Sequence, residues 1–105
     1  MKGIVYGKTF QAAMNKLERI VADYILFENT EIVYQHKTRS GNQVIRFKNN
    51  DVWTAMVATS SNTCGRRCNI VYIDNNIEDK DLEINMRLTA CAPPFQGIYY
   101  YYGQE

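Results

Sequence analysis

Gly7-Lys8-Thr9 stands between an apolar run, Gly3-Ile4-Val5-Tyr6, and an amphipathic stretch that begins at Phe10. A glycine, a lysine and a hydroxyl between a strand and a helix are what a phosphate-binding loop uses. Backbone amides wrap the phosphates, the lysine reaches the terminal ones, and the hydroxyl holds magnesium. The full pattern places another glycine five residues before Gly7, and that position is Lys2. With Met1 as the first residue no strand precedes such a loop, so only half of it could be built. The plainer reading is a strand-to-helix turn in which the Thr9 hydroxyl caps the helix.

A second partial motif follows downstream. Ile70-Val71-Tyr72-Ile73-Asp74 is an apolar run ended by a carboxylate, the form of a buried strand that delivers an aspartate to a magnesium shell. Hydrolysing versions follow that aspartate with a glutamate that activates water. Here the next residue is Asn75, and an amide takes no proton from water near neutral pH. Gly7, Lys8, Thr9 and Asp74 are therefore a nucleotide-binding set without a hydrolytic base. The competing reading gives Asp74 to the next turn or helix cap.

Other reactive side chains form no complete constellation. Cys64, Cys68, Cys91 and His36 would make a zinc-compatible set, but only one close pair exists, with three residues between its members. Zinc sites more often use two close pairs, so the expectation is no metal and no cofactor, with Cys68 and Cys91 as small buried residues and Cys64 as a loop thiol. Cys64 as a nucleophile would want a base, and His36 has no sequence tie to it. Arg66 and Arg67 on a glycine-containing loop suit phosphate or carboxylate recognition. Asp74, Glu78, Asp79, Asp81 and Glu83 form an acidic run, interrupted by one base, Lys80. Tyr100 and Tyr101, inside the run Tyr99 to Tyr102, must face opposite ways on a strand, so some rings are exposed to a partner.

These groups need elements to hold them. Phe10, Ala13, Met14, Leu17, Ile20, Val21 and Tyr24 recur every three or four residues and predict a helix. The period then changes to two. Ile32 to His36, Val44 to Phe47 and Val52 to Val57 read as strands joined by the turns Arg39-Ser40-Gly41-Asn42 and Lys48-Asn49-Asn50-Asp51. That is an antiparallel meander. Thr59 to Arg67 reads as a loop. Residues Ile77 to Ala90 mix an alternating pattern (Leu82, Ile84, Met86, Leu88) with an acidic start suited to a helix N-terminus, and the expectation is a helix stopped by Pro93-Pro94. Gly97 to Tyr102 reads as a last strand. The whole predicts one small α/β domain (α+β being the alternative), a sheet of five to six strands with two helices packed on it.

The totals agree with that. At 105 residues the chain is one domain with enough surface to bury one core. The net charge of +1 supplies no global field toward nucleic acid or membrane. The charges are segregated: Glu31 to Arg67 holds six bases (Lys37, Arg39, Arg46, Lys48, Arg66, Arg67) against two acids. No apolar run approaches the ~20 residues that cross a bilayer. Three cysteines and no leader-like start predict free thiols in a reducing bacterial cytoplasm.

Phe47-Lys48-Asn49-Asn50, Gly65-Arg66 and Ile70 to Asp74 together resemble the middle of the ATPase domain of phage terminase large subunits. Gly7-Lys8-Thr9 would be a second piece. The resemblance covers about 30 residues and departs at the truncated first motif, at Asn75, and in the absence of a nuclease domain within the chain. It implies a nucleotide-binding module that does not hydrolyse. The chain also resembles small prophage and mobile-element proteins, a group that includes anti-CRISPR proteins. That resemblance implies a non-catalytic inhibitor of a type II CRISPR nuclease, acting on a protein or ribonucleoprotein through its acidic run or its arginine loop. Between these the leading expectation is macromolecular binding without enzyme activity. The alternatives are the vestigial nucleotide module and a self-associating protein that dimerises through its C-terminal strand.

Overall fold

The structure, a computed structural model, describes residues 1–91 and 96–103. In chain order the elements are β1 (Lys2–Gly7), α1 (Phe10–Phe27), β2 (Ile32–Lys37), β3 (Gln43–Phe47), β4 (Val52–Val57), α2 (Ser60–Thr63), β5 (Ile70–Asp74), α3 (Lys80–Cys91) and β6 (Ile98–Tyr102). The six strands form one sheet in the order β2-β3-β4-β1-β5-β6. β2, β3 and β4 make the expected antiparallel meander. β1, β4, β5 and β6 run parallel to one another. The N-terminal strand is thus central, with Val5 opposite Ala55 on one side and Tyr72 on the other.

Because β1 is flanked on both edges and covered on both faces, its side chains serve two cores. Val5 points toward α1, where Ala13, Leu17 and Ile20 pack with Ile45, Phe47 and Trp53. Ile4 and Tyr6 point the other way, toward Met86 and Ala90 of α3 with Met56, Val71 and Ile73. This alternation is the two-residue period of a strand. Each large side chain buried this way contributes about 1.5–3 kcal/mol. Trp53 lies across Gly3, its register partner; a Cβ there would sit 2.5 Å from the indole ring.

Three expectations need correction. The stretch from Thr59 to Arg67 is not wholly a loop, so the described residues form three helices. Thr59 Oγ1 accepts the Asn62 N–H at 3.1 Å and closes one helical turn, α2. A single capped turn needs no apolar periodicity, which is why none marked it. Cys91 is exposed, whereas Cys68 is buried. The region from Ile77 onward is helical, but only from Lys80. Asp79 Oδ1 accepts the Asp81 and Leu82 N–H groups at 2.9 and 3.2 Å, capping α3. The alternation that mimicked a strand arises because Leu82 and Met86 face the core while Ile84 and Leu88 stay about half exposed. The proline stop falls outside the described residues. No helix among the described residues is long and apolar enough to cross a membrane.

Buried phenols tie the layers together. Tyr6 Oη donates to Asn62 O at 3.0 Å, Tyr24 Oη to Asp51 Oδ2 at 3.0 Å, and Tyr102 Oη to Tyr6 O at 2.8 Å. Burial pushes the Tyr24 hydroxyl up to about 12 and holds those of Tyr6 and Tyr102 well above the ordinary phenol range. The folded state therefore keeps protons that the unfolded chain sheds above about pH 10. Stability is fully present below that pH and falls as pH rises through it. Thermal melts followed by circular dichroism should show a steep drop in Tm above about pH 10, and Tyr24→Phe should make it shallower while Tyr6 and Tyr102 keep the rest. An equally steep drop in the variant would contradict this assignment.

Candidate functional site

In a sheet with parallel strands, ligand crevices form where neighbouring strands send their chains in opposite directions. β1 leads into α1 on one face and onward to the β2 edge. β5 leads into α3 on the other face and onward to the β6 edge. The carboxyl ends of β1 and β5 are therefore the switch point. Asp74 lies there, 2% exposed. Its Oδ2 accepts the Lys8 N–H at 2.9 Å, and its Oδ1 accepts the Asn76 N–H at 3.0 Å and the Asn76 side-chain amide at 3.1 Å. Asn76 Nδ2 also reaches Gly103 O at 3.4 Å, and the Asn75 N–H donates to Tyr102 O at 2.8 Å. One carboxylate thus joins the ends of β1 and β5 and, through Asn76, that of β6.

Gly7, Lys8 and Thr9 make the turn from β1 into α1. Gly7 is paired as a strand residue with Val57. A Cβ on Gly7 would fall 2.4 Å from Thr9 O and 2.6 Å from Ala13 N, so the glycine serves the close approach of α1 to β1. Thr9 Oγ1 accepts the Ala12 N–H at 3.1 Å as the helix cap, the plainer of the two readings. Lys8 is exposed.

Beside this turn opens a cavity of about 700 Å³ between α1 and the end of β6, lined in part by Asn15, Lys16, Arg19, Asp74, Asn76 and Tyr102. Lys16 Nζ lies 4.8 Å from the Tyr72 ring centroid and 6.0 Å from that of Tyr102, within cation–π range. Tyr72 stacks on Tyr100 at 5.3 Å. Burial raises the Tyr72 phenol. The lining thus combines two cations, two carboxylates (Glu18 and Asp74) and one aromatic ring, Tyr102. Sequence reading missed Lys16 and Arg19; their signal was their place off the apolar stripe of α1, three residues apart.

The remaining sequence candidates are dispersed. Asp74 is buried, so it does not belong to the exposed acidic run. Glu78, Asp79 and Asp81 are exposed at the start of α3, and Glu83 Oε1 accepts the Tyr101 hydroxyl at 2.6 Å. Tyr100 and Tyr101 lie on opposite faces of the edge strand β6 and are 46% and 42% exposed. Arg66 Nε donates to Asn62 O at 2.8 Å, and Arg67 turns back to Arg66 O at 2.8 Å. Among the described residues, no group of three His, Cys, Asp or Glu side chains could hold a metal ion. His36 belongs to no such group.

Neither a protein-family model nor a curated protein matches the sequence. Solved structures do. The large terminase of a thermophilic bacteriophage superposes over 95% of this chain with a TM-score of 0.60 and 11% identity. The chain shares its fold with phage large terminases. The same terminase in complex with ADP gives a TM-score of 0.59, and the ATPase domain of the Thermus phage P74-26 large terminase gives 0.59 at 16% identity over 98% of the chain. The chain spans 25% of the first terminase and 48% of the Thermus phage ATPase domain. The terminase resemblance read from residues 47 to 74 therefore extends to the architecture. The nuclease-inhibitor resemblance receives no support from these comparisons.

If Asp74 is a structural tie, Asp74→Ala strands the Lys8 and Asn76 N–H groups. Hydrogen bonds to a charged group contribute about 1.5–3 kcal/mol each, so Tm should fall by on the order of 10 °C. A carboxylate kept only to await a metal would give an unchanged or raised Tm. Gly7→Ala should likewise destabilise the protein by about 2 kcal/mol or more, through overpacking, with or without nucleotide. A Gly7→Ala protein of unaltered Tm would show that α1 does not press on β1.

Proposed function

We propose that this chain is a vestigial nucleotide-binding module of the terminase ATPase type, which binds a nucleotide without hydrolysing it. The observation that carries the proposal is the terminase ATPase fold with an aspartate at the β1/β5 switch point and an asparagine, Asn75, directly after it. In this reading the cavity beside α1 receives the ligand. Lys16 and Arg19 face its phosphates, and Tyr102 offers an aromatic surface to its base. Base–aromatic stacking contributes about 1–3 kcal/mol. Lys8, exposed at the end of β1, is the cation nearest in sequence to the amide that Asp74 holds. Asn75 leaves attacking water without a proton acceptor, so turnover is not expected.

The test is a thermal shift with magnesium and ATP at millimolar concentration, beside a phosphate-release assay. Nucleotide at ten times its Kd would stabilise by about 1.4 kcal/mol and raise Tm by about 6 °C. Lys16→Ala with Arg19→Ala should remove the shift. Lys8→Ala removes it only if the nucleotide sits at the β1 turn. No shift at any nucleotide concentration tried would end the proposal, and phosphate release abolished by Asp74→Asn would overturn the non-hydrolytic part.

A second reading is self-association. It is favoured by the exposure of Ile98, Tyr99, Tyr100 and Tyr101 along the edge strand β6, at 50%, 39%, 46% and 42%. Unpaired edges of this kind template pairing with another chain. Sedimentation should then show a dimer that Tyr100→Glu dissolves, and a monomer at high concentration would exclude it.

A further inference from the structure

A second cavity, of about 740 Å³, opens at the carboxyl end of β4 on the far side of the β1 turn. Its walls come from four places: the end of β2, the β2–β3 turn, α2 with the loop after it, and Phe10 at the start of α1. The lining includes Lys37, Asn42, Thr59, Ser61 and Arg66, and no carboxylate among the described residues lines it. That composition sets it apart from the cavity beside Asp74.

Asn42 is the informative residue. It is 5% exposed, and its main chain is fully used: its N–H donates to Thr38 Oγ1 at 3.1 Å and its carbonyl accepts the Thr38 N–H at 2.8 Å. Its side-chain amide has no hydrogen-bond partner among the described residues and borders the cavity. That amide opens onto the cavity, where a ligand can meet it.

The neighbouring groups say what it is. Arg66 uses Nε on Asn62 O at 2.8 Å, which fixes the plane of the guanidinium and leaves its two terminal nitrogens without a partner among the described residues. Lys37 Nζ sits 4.8 Å from the centroid of the Phe10 ring, held on the cavity wall by cation–π attraction. Two cations and an amide line the cavity with the hydroxyls of Thr59 and Ser61, which bond to each other at 3.3 Å, and no anion among the described residues answers the cations. Arg39 and Arg67 are exposed next to lining residues in the chain. Forked donors of this kind match the oxygens of a phosphate.

We propose that this cleft is a phosphate-binding site, separate from the nucleotide cavity, in which Arg66, Lys37 and the Asn42 amide hold a phosphoryl group. A free phosphate compound and the backbone of a nucleic-acid strand both present that chemistry. The β2–β3 turn and the Arg66-Arg67 pair are then the basic rim that a strand would follow.

Titration of the isotope-labelled protein with inorganic phosphate, without magnesium, tests the site directly. The Asn42 side-chain amide and the Arg66 Nε–H resonances should shift together and saturate. Lys37→Ala, which alters an exposed side chain, should weaken the saturation about tenfold. Asn42→Asp, which keeps the main-chain bonds of the turn and sets a carboxylate between the cations, should abolish it. A single-stranded oligonucleotide, followed by fluorescence anisotropy, distinguishes the sources. Binding about tenfold or more tighter than phosphate, and falling linearly in log Kd with log salt, assigns the site to nucleic acid. Binding no tighter than phosphate assigns it to a free phosphate compound. An unmoved Asn42 amide at saturating phosphate, together with an oligonucleotide that does not bind or whose affinity survives Asn42→Asp, overturns the proposal. Because Lys16→Ala with Arg19→Ala leaves this cleft intact, its outcome is independent of the nucleotide reading.

Discussion

A parallel sheet leaves its strand ends unpaired at the carboxyl side, and here one aspartate closes that gap. Asp74 has one oxygen on the β1 turn and the other on the β5 turn, while Asn76 carries the tie to β6. A carboxylate 2% exposed is tolerable only because amides surround it. The arrangement keeps the first strand registered against the fifth, and both cores depend on that register. It also consumes the acceptor capacity that a magnesium ion would otherwise use. Structural tie and metal ligand are competing uses of the same two oxygens.

The helices cover the sheet diagonally. α1 lies over β1, β4 and part of β3 on one face, whereas α3 lies over β5 and β6 on the other, with Met86 and Ala90 reaching Ile4 and Tyr6 of β1. Two quarters of the sheet are left without a helix. Tyr100 on one of them, and Tyr34 and His36 on the β2–β3 hairpin, are exposed as a result. Both cavities follow from this offset, each opening beside a helix where the cover stops. The same likeness in architecture that links the chain to phage terminases also sets the limit of the comparison, since at 11–16% identity side chains at equivalent positions are free to differ.

Much of this was legible in the chain. The α1 stripe was, because three- and four-residue spacing has one structural meaning. So was the meander, because its turns are short and glycine- or asparagine-rich. The position of β1 was not, since nothing local says that residues 2–7 will pair with residues 52–57 and 70–73. α3 was ambiguous because Ile84 and Leu88 are apolar yet exposed, an arrangement the pattern cannot separate from a strand. At the candidate sites, Asp74 drew attention as a catalytic type, and its structural bonds are to backbone groups that carry no residue signature. Asn42 was taken as a turn residue, which its main chain is. The amide that borders the cavity belongs to the other half of the same residue, and only the fold reveals it.

The central place of the first strand also bears on how the molecule is made. Ile4, Val5 and Tyr6 leave the ribosome before either neighbour exists, and Ile4 waits for Thr54 and then Val71. At ribosomal speeds of about 5–20 residues per second that interval lasts seconds. During it β1 lacks both of its sheet neighbours. Topologies rich in such long-range pairings fold slowly. The ordering of synthesis, as much as the final energy, is therefore a hazard of this architecture.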